Sequence, residues 1–90
     1  MADEGTVESV FNVNLRKARD VPTTRRARTA VRMLKEYISR HMKAQTEDVW
    51  IDTHVSEYIW SRGAAKPPTK ITVRATKFED GLVEVTFPEE

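Results

Sequence analysis

Between Pro22 and Gly63 the chain runs for forty residues without a glycine or a proline. In the first half of that run Ala27, Ala30, Val31, Leu34, Ile38, His41 and Met42 recur at 3.6-residue spacing. That pattern places them in one stripe and predicts an amphipathic helix over residues 24–43. Thr23 or Thr24 is the expected N-cap, its hydroxyl accepting from a free backbone N–H of the first turn. Beside the stripe lies a basic band of Arg25, Arg28, Arg32, Lys35 and Lys43, with Glu36 as the one acid of the segment. A helix that is merely solvated by charge mixes signs at i, i+4 spacing. This one is positive along its flank, and arginine, whose planar fork suits bidentate phosphate contacts, predominates in it.

The remaining elements must bury that one stripe. Phe11, Val13 and Leu15 alternate with Asn12 and Asn14, the period of a half-buried strand over residues 10–15. Residues 16–22 then read as a basic connection closed by Pro22. Val49-Trp50-Ile51 is a short strand, and Asp52 or Thr53 caps a second helix in which Val55, Tyr58 and Ile59 share a face. Gly63 ends that helix in the left-handed conformation. Ile71, Val73 and Ala75 alternate with Lys70, Thr72, Arg74 and Thr76, and the turn Glu79-Asp80-Gly81 returns the chain into Val83, Val85 and Phe87. The order β-α-β-α-β-β predicts an α+β fold, with a four-stranded mixed sheet covered on one face by helices. Residues 7–88 form one domain, with a disordered N-terminus over 1–6 and a short tail at 89–90. No second apolar stripe is left for a partner helix, so the isolated chain is expected to be a monomer.

Charge is segregated along the chain. Residues 1–15 carry −3, 16–43 carry +8, 44–61 carry −4, 62–78 carry +5 and 79–90 carry −5, so the net +1 arises from blocks that cancel. One basic side and one acidic side follow, and the basic side fits a polyanion. With no cysteine there is no disulfide, thiolate zinc site or thiol nucleophile. The longest apolar run is far too short for a membrane span. MADEGTVESV has acids where a secretory signal carries bases, so a cytoplasmic protein is expected.

Catalysis finds little support. His41 and His54 have no metal-ligand spacing to another histidine, and His41, lying on the apolar stripe, is read as a packed core residue. No serine stands in a Gly-x-Ser-x-Gly setting. The loop Trp60-Ser61-Arg62-Gly63-Ala64-Ala65-Lys66-Pro67-Pro68-Thr69-Lys70 has a glycine and a lysine but no Gly-Lys-Ser/Thr, and its prolines remove the amide donors a phosphate cradle needs. It also lacks a Pro-x-x-Pro ligand spacing. What remains is an anionic surface. Arg16, Lys17 and Arg19, the helix residues Arg25, Arg26, Arg28, Arg32 and Lys35, and Arg62, Lys66, Lys70, Arg74 and Lys77 could together meet many phosphates. Trp60 lies off the Val55/Ile59 face, where it either packs on a ribose or base or covers the sheet edge. No aromatic single-strand motif and no zinc finger is present, so shape and backbone binding are expected rather than sequence readout.

Several short motifs then stand together: Val21-Pro22, Arg25-Arg26-Ala27-Arg28, Ala30-Val31, Ile51-Asp52, Trp60-Ser61-Arg62-Gly63, and Pro68 followed by Ile71-Thr72-Val73-Arg74. In this order and spacing, from Val10 to Phe87, the chain resembles the archaeal and eukaryotic large-subunit ribosomal protein family thirty-one-e. Its length and lack of a basic N-terminal extension resemble the archaeal type. The resemblance implies a structural, non-enzymatic protein that binds 23S-type rRNA near the polypeptide exit tunnel. Neighbouring ribosomal proteins and tunnel-exit factors are the implied partners, and no cofactor is implied. The acidic block at 79–90 departs from a simple RNA clamp and is assigned to a solvent- or protein-facing side. The alternatives left open are a free-standing nucleic-acid-binding regulatory domain and a protein adaptor that uses the acidic blocks.

Overall fold

The computed structural model describes residues 7–88; the expectations for residues 1–6 and 89–90 lie outside them. Six elements follow the expected order: β1 (Val7–Asn14), α1 (Arg26–Met42), β2 (Val49–Ile51), α2 (Thr53–Trp60), β3 (Lys70–Lys77) and β4 (Val83–Thr86). The strands form one mixed sheet in the order β1-β3-β4-β2. β3 is antiparallel to both its neighbours, and β2 is parallel to β4. Val13, Ile71, Val73, Ala75, Val83 and Val85 point from the sheet into a core shared with Ala27, Ala30, Leu34 and Ile38 of α1 and Val55 and Ile59 of α2. Both helices therefore cover one face, the expected two-layer α+β arrangement. Each fully buried side chain such as Leu34 or Ile59 contributes about 1.5–3 kcal/mol by leaving water.

Several local expectations change. β1 begins at Val7 rather than Val10, and Leu15 is buried beyond its end, where its N–H donates to the Thr69 carbonyl at 2.7 Å. Residues 16–20 coil into a 3-10 turn that buries Ala18. Neither Thr23 nor Thr24 caps α1. They form a 3-10 turn with Arg25 ahead of the helix, which places their hydroxyls too early, and no side chain caps the helix. The Ala27 N–H donates instead to the Ala64 carbonyl, 2.8 Å away in the α2–β3 loop. A distant loop thus takes the part expected of a local cap.

At the other end of α1, Lys43 adopts a left-handed φ of 57°. The Lys43 and Ala44 N–H groups both converge on the Ser39 carbonyl. Lys77 of β3 lays its ammonium on the Met42 and Lys43 carbonyls at 3.1 and 3.2 Å, a cation where the helix dipole is negative. α1 is thus tied at its start to the loop before β3 and at its end to the end of β3, so the two run side by side.

His41 is not a core residue. Ser39 holds the buried position, its hydroxyl donating to the Glu36 carbonyl at 2.9 Å. His41 is exposed on the flank, stacked on Tyr37 with ring centroids 4.1 Å apart and donating from Nδ1 to the Tyr37 carbonyl. Tyr58 also leaves the Val55/Ile59 face: it is 47% exposed and meets Phe87 edge-on at 5.7 Å. Asp52 is the expected cap of α2, with Oδ2 accepting from the His54 N–H at 3.0 Å. Gly63 and Gly81 take the positive φ values, 89° and 96°, that end α2 and close the β3–β4 hairpin. In that hairpin the Gly81 N–H returns to the Phe78 carbonyl and the Phe78 N–H to the Leu82 carbonyl. This bulged turn asks positive φ of the glycine alone.

Candidate nucleic-acid interface

The ties that fix α1 also bring basic segments distant in sequence to one end of the molecule. Arg25, Arg28 and Arg32 fall three and four residues apart, so their side chains rise from one side of the helix. With Val21 and Thr29 they line a shallow cleft of about 360 Å³. Lys35, half-buried, continues the row from Arg28 and Arg32. Arg32 touches Glu36 only at 4.0 Å, both side chains being largely exposed, so this contact scarcely neutralises it.

A second cleft, of about 390 Å³, is lined by Arg19 from the 3-10 turn, by Arg62 and Lys66 from the α2–β3 loop and by Lys70 at the start of β3, together with Tyr58. No acidic side chain among the described residues lines either cleft. The loop is not a projecting arm: Pro67 is buried, and the carbonyls of Ala64 and Thr69 accept from Ala27 and Leu15. Arg62 and Lys66 are exposed on this pinned segment, so meeting an anion costs side-chain freedom but little backbone freedom.

Arg26 stands between the two clefts and points inward. Its Nε donates to the Val21 carbonyl at 3.1 Å, and its Nη1 reaches the Ala65 carbonyl at a marginal 3.5 Å. It joins the chain before α1 to the loop after α2. Arg74 lies elsewhere, half-buried on the outer sheet face, with Nη1 3.5 Å from the Pro88 carbonyl. Lys77 is engaged by the end of α1. Arg16 and Lys17 line a third groove, beside β1, with Glu36, Met33, Tyr37 and Arg40. Arg40 was missed in the sequence; its place one helical turn beyond Glu36 and two beyond Arg32 was the available signal. Trp60 is 42% exposed and Trp50 54%, but Trp60 lines none of these clefts.

The first turn of α1 holds basic side chains and no acid. Cations at the positive end of a helix dipole are unfavourable to the isolated fold, by typically ~0.3–1 kcal/mol each at exposed positions. An anion placed there relieves that repulsion. The hairpin acids Glu79 and Asp80 and the turn acids Glu47 and Asp48 belong to the opposite end of α1 and β3. The charge segregation is partial, since Lys43 and Lys77 lie at the same end as these acids and Asp20 lies beside the basic clefts. Among the described residues no group of three His, Cys, Asp or Glu side chains could hold a metal ion. No helix among them is long and apolar enough to cross a membrane.

Known proteins similar to this chain fall into one family. The Large ribosomal subunit protein eL31 of Picrophilus torridus is 44% identical over 98% of this chain and 100% of its own length. Its counterpart in Methanopyrus kandleri is 51% identical over 91% of this chain and 93% of its own. That of Thermoplasma acidophilum is 43% identical over 98% and 100% respectively. The model of the family Ribosomal protein L31e matches residues 4–80, which takes in α1, the pinned α2–β3 loop and all of β3. On that match and these identities, the chain belongs to the ribosomal protein L31e family.

Proposed function

We propose that this protein is a structural constituent of the large ribosomal subunit and binds 23S-type rRNA through its basic surface, near the polypeptide exit tunnel. The observation that carries this reading is the convergence of Arg25, Arg28 and Arg32 with Arg19, Arg62, Lys66 and Lys70 around a rigid seam, in clefts without acids. The core spaces these cations, and their binding energy comes from neutralised phosphates and released counterions. Arg16 and Lys17 with Arg40, and Arg74 on the outer face, extend the footprint. Trp60 packs beside it on a ribose or base. Family membership supports the same reading, since the relatives are large ribosomal subunit proteins.

The acid-bearing end, with the exposed Phe78 and Leu82 of the hairpin, faces neighbouring ribosomal proteins and tunnel-exit factors, where it repels RNA and opposes reversed docking. Free of the subunit, the chain is a monomer. Its work is positioning, and it runs no reaction.

Sedimentation of a lysate through a sucrose gradient tests this reading. The expected result is stoichiometric recovery in large subunits after a moderate salt wash. Recovery only in a free pool contradicts it and favours a free-standing regulator.

A further inference from the structure

β4 pairs with β3 only along Arg74–Lys77, leaving residues 70–73 of β3 paired on the β1 side alone. Where β4 stops, a groove of about 580 Å³ opens, lined by Asn12, Asn14, Thr72 and Lys70 with the rings of Tyr58 and Phe87. It is continuous with the cationic cleft of the α2–β3 loop, since Tyr58 and Lys70 line both.

The combined groove is polar in a particular way. At one end are the cations Arg19, Arg62, Lys66 and Lys70. In the middle stands the half-exposed Tyr58 ring. At the other end are uncharged donors and acceptors. The Asn12 carbonyl oxygen accepts from the Thr72 hydroxyl, and the Asn14 oxygen accepts from the Arg16 N–H, which leaves both amide NH₂ groups as donors. No acid among the described residues lines either part.

From this order of charge, ring and amide we propose that the groove holds one unpaired nucleotide of a single-stranded RNA segment. Its phosphates lie on Arg62, Lys66 and Lys70, its base against Tyr58, and its base edge at Asn12, Asn14 and Thr72. The inference rests on the rRNA-binding reading above and adds a place where a base is held. A duplex keeps its base faces stacked inside and offers phosphates, 2′-hydroxyls and base edges to a surface, so it cannot lay a base on a recessed ring. An extruded base can lie there, and its π-face needs no particular sequence. An acidic peptide would carry charge along its length and leave the neutral end of the groove without a matching partner.

The test measures binding of the full chain to octauridylate and to an RNA duplex of equal length, by fluorescence anisotropy. Tyr58→Ala is expected to weaken octauridylate binding by about tenfold while changing duplex binding less than twofold, in line with the loss of one base–aromatic stack. Because tyrosine is uncharged, the salt dependence stays unchanged, and Tyr58→Phe retains most of the affinity. Should Tyr58→Ala disturb folding, Thr72→Val on the exposed outer face makes a second test, since it removes a groove hydroxyl without adding charge. Cross-linking of a 4-thiouridine octamer is expected to label Tyr58 or Phe87.

Unchanged octauridylate affinity in both variants, with salt-sensitive duplex binding intact, overturns the groove and leaves the rRNA reading standing. Failure of the wild type to bind either RNA removes both. A polyglutamate peptide that binds more tightly than octauridylate, with the same dependence on Tyr58, also overturns the proposal and makes the groove a site for an acidic protein segment.

Discussion

Arg26 and Arg28 are two residues apart in one basic run, yet the structure gives them opposite work. Arg26 is half-buried, with Nε on the Val21 carbonyl at 3.1 Å, while Arg28 is exposed. Losing a hydrogen bond from a charged donor costs about 1.5–3 kcal/mol, and the partial exposure of this one places it at the low end. The contact to Ala65 at 3.5 Å adds little. Stripping the partly covered methylenes removes about 1 kcal/mol more. Arg26→Ala is therefore expected to lose about 2–2.5 kcal/mol, which for a domain of this size lowers Tm by roughly 10 °C or more. Arg26→Met keeps the stem and should recover about 1 kcal/mol of that loss. Arg28→Ala removes an exposed cation from the positive end of α1 and should leave stability unchanged or raise it by a few tenths, about 0.3–0.5 kcal/mol.

Urea denaturation followed by far-UV circular dichroism measures these differences, and RNA titrations over a salt series supply the second axis. Below its melting range Arg26→Met should keep the wild-type salt slope, whereas Arg28→Ala should take about 0.9 unit from it. If Arg26→Met melts with Arg28→Ala and also loses a full unit of slope, the inward role of Arg26 is wrong and it is a phosphate ligand.

Lys77→Met removes the ammonium from the last carbonyls of α1 and should cost about 1 kcal/mol in urea melts, with the RNA salt slope unaltered. Gly81→Ala meets no atom within 4 Å, so its penalty is the backbone's alone, about 1–2 kcal/mol, and Gly81→Asn should lose less. Asp52 has its carboxyl held below the usual carboxylate range, first by the His54 backbone N–H and then by the His54 ring. Because its folded pKa is depressed, its contribution is full above the unfolded carboxylate range and is lost as pH falls through the folded value. Melts between about pH 5 and pH 2 should show a loss of stability that is smaller in Asp52→Asn.

The elements were legible because each had a period or a stop signal of its own. α1 followed from the apolar stripe of Ala27, Ala30, Leu34 and Ile38, and α2 from the Asp52 cap and Gly63. β3 followed from the alternation of Ile71, Val73 and Ala75. What stayed hidden depended on partners remote in the chain. Thr23 and Thr24 looked like caps because a local rule cannot foresee that the Ala64 carbonyl, nearly forty residues away, reaches the first turn of α1. His41 looked buried because seven positions shared one stripe, and only the placement of β1 decides which flank of that stripe is covered.

The cations were easy to find, but their roles were not. Arg25, Arg26 and Arg28 are alike as letters, and the inward turn of Arg26 follows from the positions of Val21 and Ala65. Lys77 was counted with the phosphate contacts for the same reason. Asn12, Asn14, Tyr58 and Thr72 carried no signal, since the groove they line exists only where β4 leaves β3.

The basic surface is tested most directly by the dependence of rRNA affinity on salt. Titration of large-subunit rRNA with the wild type and with a folded Arg25→Ala, Arg28→Ala, Arg32→Ala triple variant measures it. Each phosphate contact contributes about 0.9 unit to the slope of log affinity against log salt, so the triple variant should lose about two to three units. A variant that circular dichroism shows to be folded, yet binds with the wild-type slope, would take the α1 cleft out of the RNA-binding surface and contradict the basic surface on which the proposed function rests.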